Sequence, residues 1–538
     1  MRQLHTRTLI APNLYKDSVA LMRIAQALLQ IDGVTNASLQ MGTQANKEIL
    51  QEAGLLSDSA QSAGASDVMV VVQALNTATL DTAMAQASAA LSSQAAAASE
   101  SATPSTVPAR ALHMWLGAQA TQNIPLPNVV QISVPGAYAA AEGLKAITQG
   151  LNVFMFSDNV PLEQEIYMKQ AAQKKGVLVM GPDCGTAIVN GVPLGFANVV
   201  RRGNIGLVAA SGTGLQEVTT QIHRMGGGVS QALGTGGRDV YAAVGGVSML
   251  QGIAMLAQDT ATQVITIVSK PPAPSVVTQV LQALRDAGKP SVVLFLGSDM
   301  KPASKTMHMA QTLVDAAAMS VALAKIVRKK DLFAIKNIAT RAISISSKHV
   351  FTYKIPKKPR FATSQRYLRA LYSGGTYCSE AQLLWEKQDL HVWSNVPIDK
   401  ARTLHNAKKA SKEHTALDLG DDDFTVGRPH PMIDQRARIE RVLQEAADPS
   451  VAVIVLDVVI GWGAHADPAG ELAPVMHAAQ KRAAQNGRQL AFIGFVCGTE
   501  EDPQVLSKQE AVLQAAGMVL AGNSANAAWL AQQWVAGL

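Results

Sequence analysis

The chain has 538 residues, of which 48% are hydrophobic, 16% are charged and only 4% are aromatic. This length predicts three or four domains, each able to bury its own core. The composition is typical of helices packed closely on parallel sheets. The net charge of +6 comes largely from a basic stretch between Lys325 and Arg369. We interpret that stretch as a solvated linker, and we expect no nucleic-acid partner.

The cysteines and the apolar segments exclude several further classes of protein. Cys184, Cys378 and Cys497 lie far apart, with neither CxxC nor Cys/His spacing, so we expect no metal site and no disulfide framework. The N-terminal sequence MRQLHTRTLI lacks the apolar core of a signal peptide. The longest apolar run, 451–464, contains Asp457 and is too short to span a bilayer. We therefore expect a soluble, cytoplasmic protein without membrane contacts.

In chain order, a small α/β module comes first, at 1–82, and an Ala/Ser-rich segment at 83–114 has the pattern of a helix that fades into a linker. From there on, short apolar runs alternate with helical spacing. This alternation predicts an α/β fold of several doubly wound parallel sheets, with ligands at the carboxyl ends of the strands. We place the domain boundaries at 115–202, 203–327 and 369–538, with the basic linker at 328–368.

The stretch 203–239 carries the strongest site signal. Ile205 to Ala210 is an apolar run flanked by glycine, and a segment with helical spacing follows Ser211-Gly212-Thr213-Gly214. A strand that ends in such residues at a helix start leaves backbone N–H groups free for a phosphate or carboxylate. The alternative is a serine-capped helix whose glycines allow tight packing. A similar arrangement recurs near Gly461.

The stretch 419–434 is rich in charge. Three adjacent aspartates, 421–423, could bind Mg²⁺, although a turn that caps the next helix is commoner. Arg428 and His430 lie among prolines that hold the chain extended. Arg428 could grip a planar carboxylate or carbamoyl group, or form a salt bridge to the aspartates.

Two further positions have alternatives of the same kind. His465 and Asp467 follow the second glycine-rich turn, and they are either catalytic or, as we favour for Asp467, a helix cap. Cys184 is either a reactive thiol or, by default, a small buried residue.

Together these motifs resemble a known family. The run from VPGAYAAAEGL to GVLVMGPDCGT resembles the CoA-binding domain of the succinyl-CoA synthetase α subunit, and GNIGLVAASGTG with LGTGGRD resembles the first ligase domain of that subunit. LDLG and VIVLDVVIGWG resemble the carboxy-terminal ligase domain of the β subunit. The strings MFSDNV, VSKPPA and VGRPHPMID look like FdrA-type proteins, which fuse these pieces in one chain. The resemblance implies a Rossmann-like CoA-binding domain followed by two flavodoxin-like ligase domains.

The resemblance also implies ligand sites. In the synthetase family, a helix start from each ligase domain faces one shared phosphate. The matching phosphate-binding positions in this sequence are Ser211, Gly212, Thr213, Gly214, Gly461, Trp462, Gly463 and Ala464. CoA remains open as a cofactor, and its contacts would fall at Val134, Pro135, Gly136, Tyr138, Ser157 and Asp158.

Two departures from the family pattern bear on the chemistry. The phosphorylated histidine of the family lies in a Gly-His-Ala-Gly context, which His308 lacks. The Glu-Ile-Gly-Gly that holds that histidine is replaced by Ser269-Lys270-Pro271-Pro272, and a lysine neutralises an anion directly. No segment resembles a nucleotide-grasp domain. We therefore expect a phosphate site without a phosphohistidine relay.

The FdrA resemblance implies a subunit of an oxamate carbamoyltransferase in allantoin or purine breakdown. It would act with other protein subunits, as an oligomer, and transfer the carbamoyl group of a small acid such as oxalurate to phosphate, giving carbamoyl phosphate. The candidate catalytic residues are Lys270, Arg428 and His430. The alternatives are an NDP-forming acyl-CoA ligase subunit that uses CoA, and a non-catalytic scaffold that binds CoA or a metabolite.

Overall fold

The computed structural model describes residues 4–14, 16, 18–97, 111–121, 125–302, 304–329, 357–425 and 428–538. These residues form two compact units, Met1–Leu126 and Pro127–Leu538. Most of the expected basic linker, 328–368, lies outside the described residues. In the described part of the chain, no helix is both long enough and apolar enough to cross a membrane.

The first unit is a three-stranded antiparallel sheet with helices on both faces. Its strand order is β1-β3-β2. In chain order its elements are β1 (His5–Ala11), α1 (Ser18–Leu29), β2 (Val34–Met41), α2 (Gln44–Glu52), α3 (Asp58–Ser62), β3 (Val68–Ala74), α4 (Thr77–Ala97) and α5 (Leu112–Thr121).

Alternation of side chains along β3 explains why both faces of this sheet are covered. Val68, Val70 and Val72 point into one core with α1 and α4, whereas Met69 and Val71 pack with residues of α2 and α3. The expected module boundary at 82 is wrong, because α4 continues to Ala97. Its alanines and leucines belong to the same core, through Ala83, Ala87 and Leu91.

The second unit begins with a small parallel sheet of order β4-β5-β6. Its elements are β4 (Val129–Ile132), α6 (Gly136–Thr148), β5 (Asn152–Met155), α7 (Leu162–Lys175) and β6 (Val179–Met180). This is the strand–helix alternation expected for 115–202, although residues up to Leu126 belong to the first unit.

The second sheet of this unit has seven strands in the order β13-β12-β11-β9-β10-β7-β8, of which the first five are parallel. Its elements are β7 (Thr186–Val189), β8 (Val192–Gly195), β9 (Arg202–Ala210), α8 (Gly212–Arg224), β10 (Val229–Gly234), α9 (Val247–Gln258), β11 (Val264–Ser269), α10 (Pro274–Ala287), β12 (Ser291–Phe295), β13 (Met307–Met309) and α11 (Leu313–Lys329).

The hairpin of β7 and β8 corrects the expected boundary at 202. It pairs antiparallel with β10, so residues 186–195 extend the second sheet and not the first. Strand alternation alone does not reveal this, because the partner of a hairpin is chosen by tertiary packing.

The third sheet is entirely parallel, with the order β15-β16-β14-β17-β18-β19. Its elements are β14 (Tyr367–Tyr372), α12 (Gly375–Glu386), β15 (Trp393–Ser394), β16 (Thr415–Asp418), α13 (Asp422–Thr425), α14 (Arg436–Ala447), β17 (Val451–Val459), α15 (Pro468–Gln485), β18 (Ala491–Cys497), α16 (Leu506–Ala515), β19 (Met518–Leu520) and α17 (Ser524–Val535). The doubly wound parallel fold expected for the ligase-like parts is confirmed.

Helices α8, α11, α12 and α17 pack together and join the second and third sheets. The buried carboxyl group of Glu380 in α12 links this helix to the starts of α11 and α17, since it accepts hydrogen bonds from the Leu313 amide and from the Ser524 hydroxyl. This packing matters for function because it brings the starts of α8 and α12 together.

Candidate active site

The start of α8 is built as the sequence indicates. Ser211 is the N-cap, and its hydroxyl accepts a hydrogen bond of 2.9 Å from the amide of Gly214. No group in the described part of the chain accepts a hydrogen bond from the amides of Gly212 or Thr213. These two N–H groups, at the positive end of the helix dipole, can therefore bind an anion.

Sheet register places Lys270 beside this helix start. Strands β9 and β11 are parallel neighbours, and Ala210 pairs with Ser269. The residues that follow them, Ser211 and Lys270, therefore leave the sheet side by side, about 5 Å apart as neighbouring strands are. The expected candidates Ser211 and Lys270 thus belong to one site.

The start of α12 lies against the start of α8. The hydroxyls of Ser211 and Thr376 form a hydrogen bond across the two domains. The N-cap of α12, Gly374, has no side chain to cap the helix, and nothing among the described residues accepts from the amides of Gly375 or Thr376. A second helix start with free amides therefore opens into the same site.

Asp418 is a site residue that the sequence interpretation missed. It ends β16 beside Tyr372 of β14, so it lies next to the α12 start. A Cβ atom on Gly375 would lie 2.7 Å from Asp418 Oδ2 and 2.8 Å from Lys270 Nζ. The missing side chain therefore lets the carboxyl group and the ammonium group converge on the first turn of α12. The sequence did contain a signal for this residue, because Asp418 lies at the end of a predicted strand in the LDLG motif.

His430 approaches the same carboxyl group from the other side. A Cβ atom on Gly420 would lie 2.7 Å from His430 Nε2 and 3.2 Å from Asp418 Oδ1. The amide of Met432 donates to His430 Nδ1, and burial lowers the pKa of His430 to about 4. A neutral imidazole whose Nδ1 accepts a hydrogen bond carries its proton on Nε2, which faces Asp418.

Arg428 does not belong to this cluster. Its guanidinium is exposed and pairs with Glu440 of α14 at 2.9 Å, and both side chains are largely solvated. The salt-bridge partner of Arg428 is thus Glu440 and not one of the aspartates 421–423, and a substrate contact by Arg428 stays a prediction. The flanking prolines extend the chain, but they do not decide which side chain turns inward.

The turn at Gly461 differs from the expected helix start. Helix α15 begins only at Pro468, and its N-cap is Asp467, as we favoured from the sequence. The amide of Gly461 is already bonded to Gln504 Oε1 at 3.0 Å. The positive φ angles of Gly461 and Gly463, 114° and 79°, shape a turn and not a first helical turn.

Both glycine-rich turns nevertheless lie against one hairpin segment. Gly212 faces Gly185 and Thr186 at its beginning, and Gly463 faces Gly195 and Phe196 at its end. The amide of Trp462 also donates to Ala197 O, at 2.9 Å. Phosphate binding stays a prediction for Gly461, Trp462, Gly463 and Ala464. If these residues bind phosphate, they do so from a turn and not from a helix start.

The loops proposed for CoA converge at the carboxyl ends of β4 and β5. The Ser157 hydroxyl donates to Val134 O. Gly136 approaches the backbone of Asp158 so closely that a Cβ atom would lie 2.2 Å from its carbonyl oxygen. Pro135 is the N-cap of α6 and provides no side-chain cap, and the ring of Tyr138 is half exposed. The structure brings these residues together, and CoA binding by them stays a prediction.

Asp183 lies close to carboxyl groups that follow strands of two sheets, the small sheet and the third sheet. Solvent reaches its side chain, yet the protein around it raises the pKa of Asp183 to about 7, and the negative charges of Asp158 and Asp422 add to the rise. These three carboxyl groups follow β6, β5 and β16 respectively. The described residues contain no cluster with the geometry of a metal site.

The GGRD motif is structural. Lys169 is fully buried and forms ion pairs of 2.9 Å with Glu165 and 2.8 Å with Asp239. Asp239 also accepts from the amides of Ser248 and Met249 at the start of α9. Arg238 pairs with Glu165 at 2.9 Å. This network fixes the small sheet against the second sheet.

Other candidates have ordinary roles. His308 lies inside β13, at the far edge of the second sheet, and burial lowers its pKa. His465 pairs with Glu471 at 3.4 Å, which raises the pKa of His465. Burial raises the pKa of Cys184 to about 12, so this thiol is not a reactive one. Asp421 accepts from the amide of Asp423 at the start of α13, as a capping turn does.

Family models match three parts of the chain. A CoA-ligase model matches residues 371–534, a CoA-binding domain model matches 200–297, and a model described as "AllF, heavy metal-associated domain" matches 3–107. The CoA-binding match covers the α8 start. This differs from the expectation, in which the CoA-binding domain lay at 115–202.

Similar proteins agree with these family models. YahF of Escherichia coli (strain K12), described as an uncharacterized protein, is 40% identical over 98% of both chains. The chain belongs to the fused succinyl-CoA synthetase-like family. The succinate–CoA ligase α subunit of Aquifex aeolicus is 23% identical over 41% of this chain and 78% of its own. The ADP-forming sulfoacetate–CoA ligase subunit SauD of Bilophila wadsworthia is 25% identical over 35% and 65%.

Among solved structures, PH0766 from Pyrococcus horikoshii is similar with a TM-score of 0.31 and 13% identity, over 77% of this chain and 86% of the other. The apo form of a dinucleotide-forming acetyl-coenzyme A synthetase from Ca. Korarchaeum cryptofilum has the same TM-score at 15% identity, over 76% and 83%.

The description "heavy metal-associated" does not fit the residues of the first unit. Soft metals select thiolate and thioether ligands. All three cysteines of the chain lie in the second unit, so the first unit offers no thiolate ligand. We therefore derive no metal chemistry from this module.

A competition assay tests this point. The full chain, titrated into a Cu(I)–chelator complex of known colour, is expected to leave the copper with the chelator, because the first unit offers no thiolate. Stoichiometric transfer of copper that persists after Cys184, Cys378 and Cys497 are all replaced by serine would contradict it.

Proposed function

We propose that this chain transfers a carbamoyl group between a small acid and phosphate, as a subunit of an oxamate carbamoyltransferase-type enzyme with protein partners. The observation that supports this most is the pair of free amides at the α8 start beside Lys270. Together they suit a phosphate without a histidine relay. The family resemblance supplies the carbamoyl chemistry, and the family itself is that of the succinyl-CoA synthetases.

In this proposal, phosphate binds the amides of Gly212 and Thr213, and the carbamoyl donor lies across the α12 start. One phosphate oxygen attacks the carbamoyl carbon and forms a C–O bond, while the C–N bond to the leaving amide breaks. The proton of the phosphate hydroxyl ends on the leaving nitrogen, so oxalurate and phosphate give oxamate and carbamoyl phosphate. No oxidant or metal is required by this balance.

Lys270 and His430 would orient and stabilise the reacting group. Charge that develops on the carbamoyl oxygen in the transition state needs a donor fixed in advance. Lys270 Nζ lies by Gly375 and His430 Nε2 lies by Gly420, on two sides of the Asp418 carboxyl group. Both could therefore serve, whereas the guanidinium of Arg428 is exposed and paired with Glu440.

CoA is the second candidate ligand, and one observation favours it. The CoA-binding match, 200–297, includes the α8 start. The amides that suit inorganic phosphate would equally suit a phosphate of CoA, as in an acyl-CoA ligase subunit. The α6 start at Pro135 and Gly136 would then hold another part of the cofactor.

Calorimetric titration of the full chain with orthophosphate, carbamoyl phosphate and CoA distinguishes the two. A Cβ atom at Gly212 would meet Thr186 Oγ1 at an ordinary 3.6 Å, so Gly212→Val should fold while its side chain fills the anion position. We expect it to weaken binding of both phosphates by about 10- to 100-fold, since one or two amide hydrogen bonds are lost.

Gly117→Val is the matched control, because Gly117 lies in α5 of the other unit with open space beside it. It should leave anion affinity unchanged. Tight CoA binding that Gly212→Val abolishes, with no binding of the small phosphates, would favour the ligase and overturn the carbamoyl proposal.

A further inference from the structure

We propose that Asp418 is the group that carries the proton from the attacking phosphate to the leaving nitrogen. This rests on the proposed function of the same site, and it assigns a role to a residue that neither the family resemblance nor the motif analysis singles out. The argument begins with where the carboxyl group is held.

Asp418 is held from several sides. It is only 6% exposed, and its Oδ1 accepts a 2.9 Å hydrogen bond from the amide of Gly420. Its other oxygen, Oδ2, points to the first turn of α12 beside Lys270 Nζ. No hydrogen-bond donor to Oδ2 is found in the part of the chain that the structure describes. One carboxyl oxygen is thus anchored, and the other is directed into the site.

The two glycines beside it make this arrangement possible. A side chain at Gly375 would separate Asp418 from Lys270, and a side chain at Gly420 would collide with Ser373 O at 2.6 Å as well as with His430. Both positions therefore keep the space around the carboxyl group free of side chains. A structural aspartate in the core would need no such clearance.

Charged and titratable groups face Asp418 from every neighbouring element. Lys270 comes from the loop after β11, Asp421 from the turn after β16, Asp457 from β17 and Cys378 from α12, and His430 contributes a neutral ring. Burial raises the pKa of Asp418 to about 7, and the attraction of Lys270 opposes this rise. Near neutral pH, both the acid and the carboxylate are therefore populated, as proton transfer in both directions requires.

The phosphorolysis step needs one group that first takes a proton and then gives it back. In the ionised form, Asp418 takes the hydroxyl proton of phosphate as the C–O bond forms. It then gives the same proton to the amide nitrogen as the C–N bond breaks. Lys270 holds the carbamoyl oxygen, and His430 remains neutral. The carboxyl group ends the cycle ionised, ready for the next turnover.

The experiment compares the wild-type chain with Asp418→Asn in phosphorolysis of oxalurate, with its partner subunits present. We expect kcat to fall by about 10²- to 10⁴-fold, the usual contribution of general acid–base catalysis, with KM for phosphate changed less than about threefold. Below about pH 7 the wild-type rate should fall more steeply than the residual rate of the variant, in which only the phosphate substrate still gains a proton. Asp423→Asn, on exposed α13, is the control.

Thermal unfolding of the same variants gives a readout that needs no substrate. The folded pKa of Asp418 lies above its ordinary value of 3.8, so its ionisation opposes folding as pH rises from about 4 to about 7. Asp418→Asn should therefore raise Tm by about 2–5 °C at pH 8, and the gain should vanish near pH 4.

These results distinguish a failure of the proposed function from a failure of the proposed role of Asp418. An inactive wild-type complex would overturn the proposed function and, with it, this role. An active complex in which Asp418→Asn keeps its rate and its pH profile would overturn the role of Asp418 alone. A variant that is both less stable at pH 8 and less active would also contradict it, since that pattern marks a structural aspartate.

Discussion

Replacing Lys270 by methionine is expected to lower turnover by about 10²- to 10³-fold, the usual effect of removing one preorganised donor at a developing oxyanion. Methionine keeps the length and the apolar stem of the side chain and removes only the charge. Because Lys270 Nζ lies beside the α12 start, and the backbone of Lys270 leaves the sheet next to Ser211, the loss should appear in kcat more than in substrate affinity.

Two variants make this result specific. Lys301→Met removes an exposed charge from a loop of the same domain and should leave turnover unchanged. Lys270→Arg keeps the charge but brings a wider, planar group against Gly375, so we expect it to restore only a minor part of the activity. A Lys270→Met complex that turns over at the wild-type rate would remove this residue from the mechanism.

Replacing Asp457 by alanine is expected to destabilise the third sheet by about 3–5 kcal/mol, the usual cost of leaving the partner of a buried ion pair uncompensated. Asp457 and Arg438 are 0% and 1% exposed and form a direct ion pair. The carboxylate also accepts from the amide of Ser373 at 2.8 Å, and from the Ser373 hydroxyl. The residue that precedes the α12 cap therefore loses its anchor as well.

Urea denaturation of the full chain, followed by circular dichroism, measures this effect. The double variant Asp457→Leu/Arg438→Met should recover much of the stability, because it leaves no buried charge unpaired. Arg428→Ala removes an exposed ion pair and should cost less than about 1 kcal/mol. If Asp457→Ala lowers the free energy of unfolding as little as Arg428→Ala does, the bonds of Asp457 to Arg438 and Ser373 do not hold the α12 start.

The sequence predicts the parallel sheets well because the two kinds of element have different patterns. Buried strands are short apolar runs, whereas helices have apolar residues at helical spacing. Strands β9, β11 and β17 contain mostly apolar residues along their buried parts, and Ser211, Lys270 and Gly461 follow within two residues of their ends, which marks the carboxyl ends. Ser211 and Lys270 could be placed on the same edge for that reason. Their closeness follows from a register of strands that the sequence does not contain.

The sequence-based predictions fail where contacts between distant segments determine the local structure. Gly461 has the same apolar-run-then-glycine pattern as Gly212, but Gln504, from a distant loop, takes its amide, and the helix begins later. Asp418 looked like one aspartate among several, since its approach to Lys270 depends on the pairing of β16 with β14. The sequence offered the aspartates 421–423 as salt-bridge partners of Arg428, whereas its partner Glu440 lies in α14.

A crystal structure of the full chain soaked with carbamoyl phosphate tests the central claim most directly. The account predicts the phosphoryl group on the amides of Gly212 and Thr213, with the carbamoyl group directed towards Lys270 and Asp418. Carbamoyl phosphate bound elsewhere, with the α8 start empty or filled by CoA retained from the cell, would contradict it.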